Sequence, residues 1–289
     1  MVMASLLHAP LVVVTGKMIM MNRRAMMPNT KDITTNTPRM MVYSDPGGGK
    51  TTQFLTIPGR KFAYLFDPNA TQSLRGADIT YEEFYPCDVS LRLTSLSKKN
   101  KAPSPKARTG AEAYNAWEKD FEKKLESGFF NDFDVILFDS LTTFSDMVMD
   151  GVLAINGRGG QWPQQDDYGP QMLAIKNVFR ALTGLGIPLY VTAHYKTLQD
   201  ELTKKVYNQI LVTGQLRQKL PLLFSEILYL EASSDGKGNV NYLAQTKPDR
   251  MFPTVRCSTK GLDYKTDITI DYDKPLEGQG LGGLFFNTL

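Results

Sequence analysis

A glycine-rich turn set between a short apolar run and a helix constrains this chain most. The run Arg39-Met40-Met41-Val42-Tyr43 reads as a buried strand. Ser44-Asp45-Pro46-Gly47-Gly48-Gly49-Lys50-Thr51-Thr52 follows, and a brief helical stretch to about Ile57 is closed by Pro58-Gly59. In a phosphate-binding loop, glycines let backbone N–H groups approach an anion. The lysine adds positive charge, the next hydroxyl ligates Mg²⁺, and the helix N-terminus faces the phosphates. Lys50 and Thr51 hold those last two places. The pattern G-x-x-x-x-G-K-T would put its first glycine where Ser44 stands, and serine turns there as long as its φ stays negative. A glycine turn that binds nothing is the bland alternative; a strand before it and a helix after it favour phosphate binding.

The remainder alternates short apolar runs with amphipathic stretches. Lys61 to Phe66 reads as a second strand, running into Asp67-Pro68-Asn69. From Val89 to Ala111 there is no acid, while Arg92, Lys98, Lys99, Lys101, Lys106 and Arg108 lie among Ser, Pro and Gly, the composition of a flexible basic loop. Thr109 is placed to cap a helix burying Tyr114, Trp117, Phe121 and Leu125, which Ser127-Gly128 ends. Asp134 to Asp139 (DVILFD) is a continuous apolar run ending in an acid, as a buried parallel strand should be. A helix is expected from about Thr142 and, after the loop Asn156 to Gly169, another from Pro170 that buries Met172, Ile175, Phe179 and Leu182. Ile187 to Ala193 forms one more buried strand, ending at His194. Glu226 to Glu231 and Val240 to Thr246 read as a hairpin, and Val255 to Ser258 and Asp267 to Tyr272 as added strands.

This order predicts an α/β fold with a mainly parallel, doubly wound sheet and an antiparallel C-terminal hairpin. The expected division is a poorly ordered extension over 1–37, a P-loop domain over 38–260, and a C-terminal strand and tail over 261–289. Glu277 to Leu289, glycine-rich with an apolar end, reads equally as a partner-binding tail or as disorder.

Composition removes other chemistries. Two cysteines, Cys87 and Cys257, make neither a disulfide framework nor a cysteine zinc site, so a reducing cytoplasm is expected. Only His8 and His194 are present, which leaves little room for histidine-based metal chemistry. A net charge of +3 is too small to argue nucleic-acid binding, so any basic footprint must be local. The first 16 residues are uncharged but short of a membrane span and lack the positive start of a secretory signal. No membrane partner or targeting signal is expected.

The second chemical element is Asp139. A nucleotide-bound Mg²⁺ needs a carboxylate at the C-terminal edge of a strand near the phosphate loop. Asp139 has that context, and Ser140 is placed to join the same water shell; an Asp that merely caps the next helix is the alternative.

PGGGKTT, ILFDS, PLYVTAH and LPLLFSEILYL followed by QTKPDR together resemble the phage nucleotide-binding proteins. These are AAA-type P-loop ATPases with a RecA-like core, several of which act in single-strand annealing and recombination. The resemblance covers roughly 38–260. It implies ATP and Mg²⁺ as ligands, with Ser44 to Thr52 as Walker A and Asp139 as the Walker B acid. His194 would sense the γ-phosphate. The water-activating glutamate of RecA-like proteins is replaced by Asn69, which orients water but accepts no proton; Asp67 is the nearest substitute base or, equally, a structural cap. Lys247 and Arg250, with Arg256 behind them, are candidates for a positive charge supplied to a neighbouring subunit's site. The resemblance further implies assembly into a ring or filament, contact with single-stranded DNA and a place in phage DNA recombination, repair or replication in the host cytoplasm. Two segments suit DNA: the basic loop Arg92 to Arg108, and the Asn156 to Gly169 loop with Arg158, Trp162 and Tyr168. The rival functions are an ATP-gated assembly module without turnover and a small-molecule P-loop kinase.

Overall fold

The computed structural model describes residues 37–87, 111–234 and 236–287. The N-terminal extension up to residue 36, the basic loop Arg92 to Arg108 and the Thr109 cap lie outside the described residues. In chain order the elements are β1 (Arg39–Tyr43), α1 (Lys50–Gln53) with a 3₁₀ turn at Phe54–Thr56, β2 (Lys61–Leu65), α2 (Ala70–Ser73) and β3 (Thr80–Glu83). They continue with α3 (Ala111–Ser127), β4 (Val135–Asp139), α4 (Leu141–Ile155), α5 (Tyr168–Gly184) and β5 (Leu189–Ala193). Then come β6 (Tyr195–Gln199), β7 (Val206–Ile210), α6 (Leu216–Lys219), β8 (Glu226–Ser234), β9 (Val240–Gln245), β10 (Lys265–Asp267) and α7 (Gly280–Phe285).

One sheet runs β10-β9-β8-β1-β5-β4-β2-β3. The neighbours from β8 to β3 are all parallel, whereas β9 and β10 are antiparallel additions. This is a mainly parallel, doubly wound arrangement with an antiparallel extension. Every residue of β2, β4 and β5 is buried, because both faces are covered and neither needs polar side chains.

Alternation along the strands sorts the core into two layers. Met41, Tyr43, Tyr64, Phe66, Ile136, Phe138 and Val191 face α3, α4 and α5, meeting Trp117, Phe121, Phe144 and Phe179. Met40, Val42, Ala63, Leu65 and Leu137 face the opposite side, where Phe54 and Leu55 after α1 join Leu281 and Phe285 of α7. The first layer is rich in aromatic contacts: Phe138 lies 4.6 Å from Phe66, 4.9 Å from Phe144 and 5.1 Å from Phe179, centroid to centroid.

Several boundaries differ from the sequence expectation. The helix expected at Pro170 begins at Tyr168, directly after a 3₁₀ turn, Gln165–Asp167, that Gln164 and Asp167 cap reciprocally. Val255 to Ser258 makes only a single bridge, Ile227 to Arg256, and the strand expected at Asp267 to Tyr272 is instead Lys265–Asp267. Among the strands, two features carry no expectation at all: the exposed edge strand β3, whose TYEE has no apolar alternation, and the separate β6–β7 hairpin. The described part of the C-terminal stretch, up to residue 287, packs back against the segment after α1. Thr56 Oγ1 accepts the Gly282 N–H at 2.8 Å, and a Cβ at Gly282 would fall 1.9 Å from the Thr56 carbonyl oxygen. Glycine is there because the two backbones touch.

Phe138→Ala removes a fully buried ring from the centre of the aromatic layer and should cost about 3–5 kcal/mol. Urea unfolding checks this, and a loss under about 1 kcal/mol would contradict a packed layer.

Candidate functional site

The turn after β1 owes its shape to three glycines with different tasks. Gly47 and Gly49 have φ of 80° and 83°, a region L side chains rarely enter. A Cβ on Gly48 would sit 2.3 Å from Ser44 Oγ, so nothing larger fits. Ser44 itself keeps negative φ, is fully buried, and donates its hydroxyl to the Asp45 carbonyl at 2.8 Å. The loop curls round Lys50, whose ammonium donates to Ser44 O at 3.2 Å, Ser44 Oγ at 3.1 Å and Asp45 O at 3.2 Å. Burial lowers the Lys50 pKa, while Asp139, Asp67 and Asp45 pull it the other way. Because α1 is a single α turn followed by a 3₁₀ turn, its macrodipole is short, and the loop N–H groups and Lys50 carry more of the positive potential than the sequence suggests.

Asp139 ends β4, and β5 lies between β4 and the β1 strand that feeds the loop. The gap is closed by side chains. Thr51 Oγ1 donates to Asp139 Oδ2 at 2.7 Å, and Thr192 of β5 donates to Oδ1. The carboxyl is nearly inaccessible, and burial raises its pKa against the opposing pull of the Thr192 hydroxyl.

A second carboxylate stands beside it. Asp67, just after β2, accepts the Ser140 hydroxyl at 2.8 Å and the Thr143 hydroxyl on Oδ1, while Oδ2 faces His194 Nε2 at 3.7 Å. Burial would raise the Asp67 pKa, but His194, Thr143 and Ser140 outweigh it and hold it below the usual carboxylate range. The Asp139–Ser140 peptide is cis, and Ser140 also caps α4 through the Thr143 N–H. His194 follows β5, its N–H bonded to Thr142 Oγ1 at 3.0 Å. The next residue, Tyr195, donates its phenol to Asp45 Oδ2 at 3.0 Å, tying the β6–β7 hairpin to the glycine loop.

The structure thus brings together Ser44 to Thr51, Asp139, Asp67 and His194, and separates other candidates from them. Asn69 is exposed, with φ of 65°, a left-handed turn position that asparagine tolerates; Asp67, two residues earlier, occupies the cluster. Arg256 is committed to structure, donating to the carbonyls of Pro221 and Phe224. Lys247 and Arg250 are exposed on a turn pinned by Asp249, which accepts the Phe252 N–H at 2.6 Å. Arg158 pairs with the fully buried Asp167 rather than projecting to solvent, whereas Trp162 and Tyr168 are exposed.

Beside the loop lies a pocket of about 300 Å³, with the loop and α1 on one side and Ser73, Tyr242, Ile270 and Tyr272 on the other. Sequence reasoning assigned nothing to Thr192, Thr143 or these four, because hydroxyls and tyrosines far apart in the chain carry no local pattern. Among the described residues no helix is long and apolar enough to cross a membrane.

The sequence profile of the AAA domain family matches residues 36–255. The chain belongs to the AAA domain family. No curated protein matches it. Among solved structures it is similar to a KaiC-like protein from the hyperthermophilic archaeon Pyrococcus horikoshii, at 10% identity and a TM-score of 0.40, over 81% of this chain and 86% of that one. It is also similar to the ATPase DotB of Legionella pneumophila, at 9% identity and a TM-score of 0.28, over 73% of this chain and 45% of that one.

The two acids have opposite linkage. Asp67, with a depressed pKa, stabilises the fold above its unfolded value of ~3.9 and loses that contribution as pH falls through its folded value. Asp139, with a raised pKa, favours the protonated folded form, so stability is lost as pH rises from ~3.9 through its folded value. At pH 7, without nucleotide, Asp139→Asn should therefore raise the melting temperature. Asp67→Asn should lower it, by about 1–3 kcal/mol in stability. Thermal unfolding of both variants decides the matter, and shifts in the same direction would refute the assignment.

Proposed function

We propose that this protein binds Mg·ATP at the loop after β1 and hydrolyses it slowly, as an assembling ATPase of phage DNA recombination, repair or replication. The observation that carries the nucleotide reading is the 2.7 Å bond between Thr51 and Asp139, made beside a lysine that, among the described residues, loop oxygens hold. A hydroxyl and a carboxylate on two elements are hard oxygen donors of the kind Mg²⁺ takes alongside phosphate oxygens, so Thr51 and Asp139 fit the ion. Bound there, Mg²⁺ would neutralise charge on the phosphate oxygens.

Lys50 exchanges its carbonyl partners for the β- and γ-phosphates, a stronger charge-assisted set. Asp67 is the carboxylate best placed to orient the attacking water. Its depressed basicity makes it a poor proton acceptor near neutral pH, which supports slow turnover. His194, against Asp67 at the end of β5, would report the γ-phosphate by exchanging that contact for one to the nucleotide. Exposed Lys247 and Arg250 would serve a neighbouring copy in a ring or filament. Single-stranded DNA is the proposed partner on the strength of the sequence resemblance, with Trp162 and Tyr168 as exposed stacking residues. The same weak base favours a second reading, an ATP-gated assembly module without turnover.

Phosphate release from Mg·ATP, with and without single-stranded DNA, separates the two. Stimulation by DNA that disappears in Lys50→Ala supports the ATPase. ATP binding without release under either condition supports the gated module. Lys50→Ala should lower ATP affinity at least about 100-fold, since two or more charge-assisted bonds are lost. Unchanged affinity in a calorimetric titration would remove the nucleotide reading altogether.

A further inference from the structure

We infer that the C-terminal segment 268–286 is part of the nucleotide site, forming with Tyr242 an aromatic wall that selects a purine base by stacking. The inference rests on the phosphate-loop reading above and deepens it. The lining of the pocket beside the loop is of two chemical kinds. Lys50, Thr51 and Thr52 are cationic or hydroxylic, as phosphates require; Tyr242, Ile270 and Tyr272 are flat or apolar, as a base requires.

Tyr242 is seated on the loop itself. A Cβ on Gly49 would lie 3.1 Å from its ring, so the glycine answers to the tyrosine as well as to its positive φ. Tyr272 is 69% exposed, and a large aromatic side chain left open at a pocket rim has stacking surface to offer. Ile270, 9% exposed, adds an apolar side chain to the same lining.

This wall is fixed to the glycine loop's helix. Gln53 in α1 donates to the Ile268 carbonyl at 2.6 Å and accepts the Leu281 N–H at 2.9 Å. Thr56 takes the N–H groups of Gly282 at 2.8 Å and, through its carbonyl, Gly278 at 2.9 Å. Tyr242 is bonded to the same segment, its N–H to Thr269 Oγ1 at 2.8 Å and its carbonyl to the Ile268 N–H at 2.8 Å. Gln279 braces Asp271 from both sides, accepting its N–H at 2.8 Å and donating to its carbonyl at 2.9 Å. The family match ends at residue 255, so Ile270, Tyr272 and their fastening lie beyond it. Both ends of the Gln53 amide are spent on this fastening, so Gln53 is committed to holding the wall, and the rings of Tyr242 and Tyr272 offer stacking, which grows with the area of the base.

The test is calorimetric titration of the full chain with Mg·ATP and with Mg·UTP. The unaltered protein should bind ATP at least about 10-fold more tightly than UTP, the scale of one lost stack. Tyr272→Ala should bring that ratio close to one, Tyr272→Phe should keep it, and Gly282→Leu, which undocks α7 and so loosens the segment that carries Tyr272 without altering either tyrosine, should reduce it. Equal binding of ATP and UTP by the unaltered protein, or an unchanged ratio in Tyr272→Ala, would overturn the inference. Lys50→Ala should weaken both nucleotides alike; if instead it binds ATP normally, the phosphate-loop reading fails and the aromatic wall is not what is at fault.

Discussion

A carboxylate buried among strands is expensive unless its oxygens are occupied, and that cost organises this molecule. Asp139 meets it with hydroxyls from two other elements, Thr51 from α1 and Thr192 from β5. The bonds hold β4, β5 and the glycine loop in one geometry at the C-terminal edge of the sheet. Lys50 completes the balance from the far side, an ammonium kept out of water by loop oxygens and drawn toward the acids. The arrangement is electrostatically uncomfortable, with an acid pushed toward neutrality and an amine pushed the same way. A ligand that brings both a cation and an anion relieves the two together.

The sheet order makes this possible. With β5 between β1 and β4, the strand end carrying Thr192 and His194 lies between the loop and the acid, within reach of both carboxylates. Asp67 then reads its surroundings through three side chains, two from the start of the helix that follows Asp139 and one from the end of β5. A shift of either element changes how that carboxylate is held.

The loop was legible in the sequence because its constraints are local: glycines in left-handed positions, then Lys50 and Thr51, all within a few residues of one strand. Asp139 was legible for the same reason, as an acid closing an apolar run. The parallel core and the hairpin followed from strand patterning. A linear motif cannot see that the Asn69 backbone turns left-handed and outward while Asp67 turns in. β3 escaped because an exposed edge strand needs no apolar face, and β6–β7 because a small two-stranded sheet buries little. The tail was illegible for a different reason. Its glycines serve backbone contacts with Thr56, and nothing in GLGG names a partner more than two hundred residues away.

That separation has a kinetic side. Gln53 and Leu281 are 228 residues apart, and a ribosome adding about 5–20 residues per second needs roughly 10–50 s to supply the second after the first. Until then the glycine loop and its strand can form, but the far wall of the pocket is missing and a patch that includes Phe54 stays bare. Long-range closure of this kind is slow even in a finished chain, because ordering the intervening residues precedes the contact that repays it. A nascent copy therefore passes through a stage in which the glycine loop is made before the segment that packs beside it.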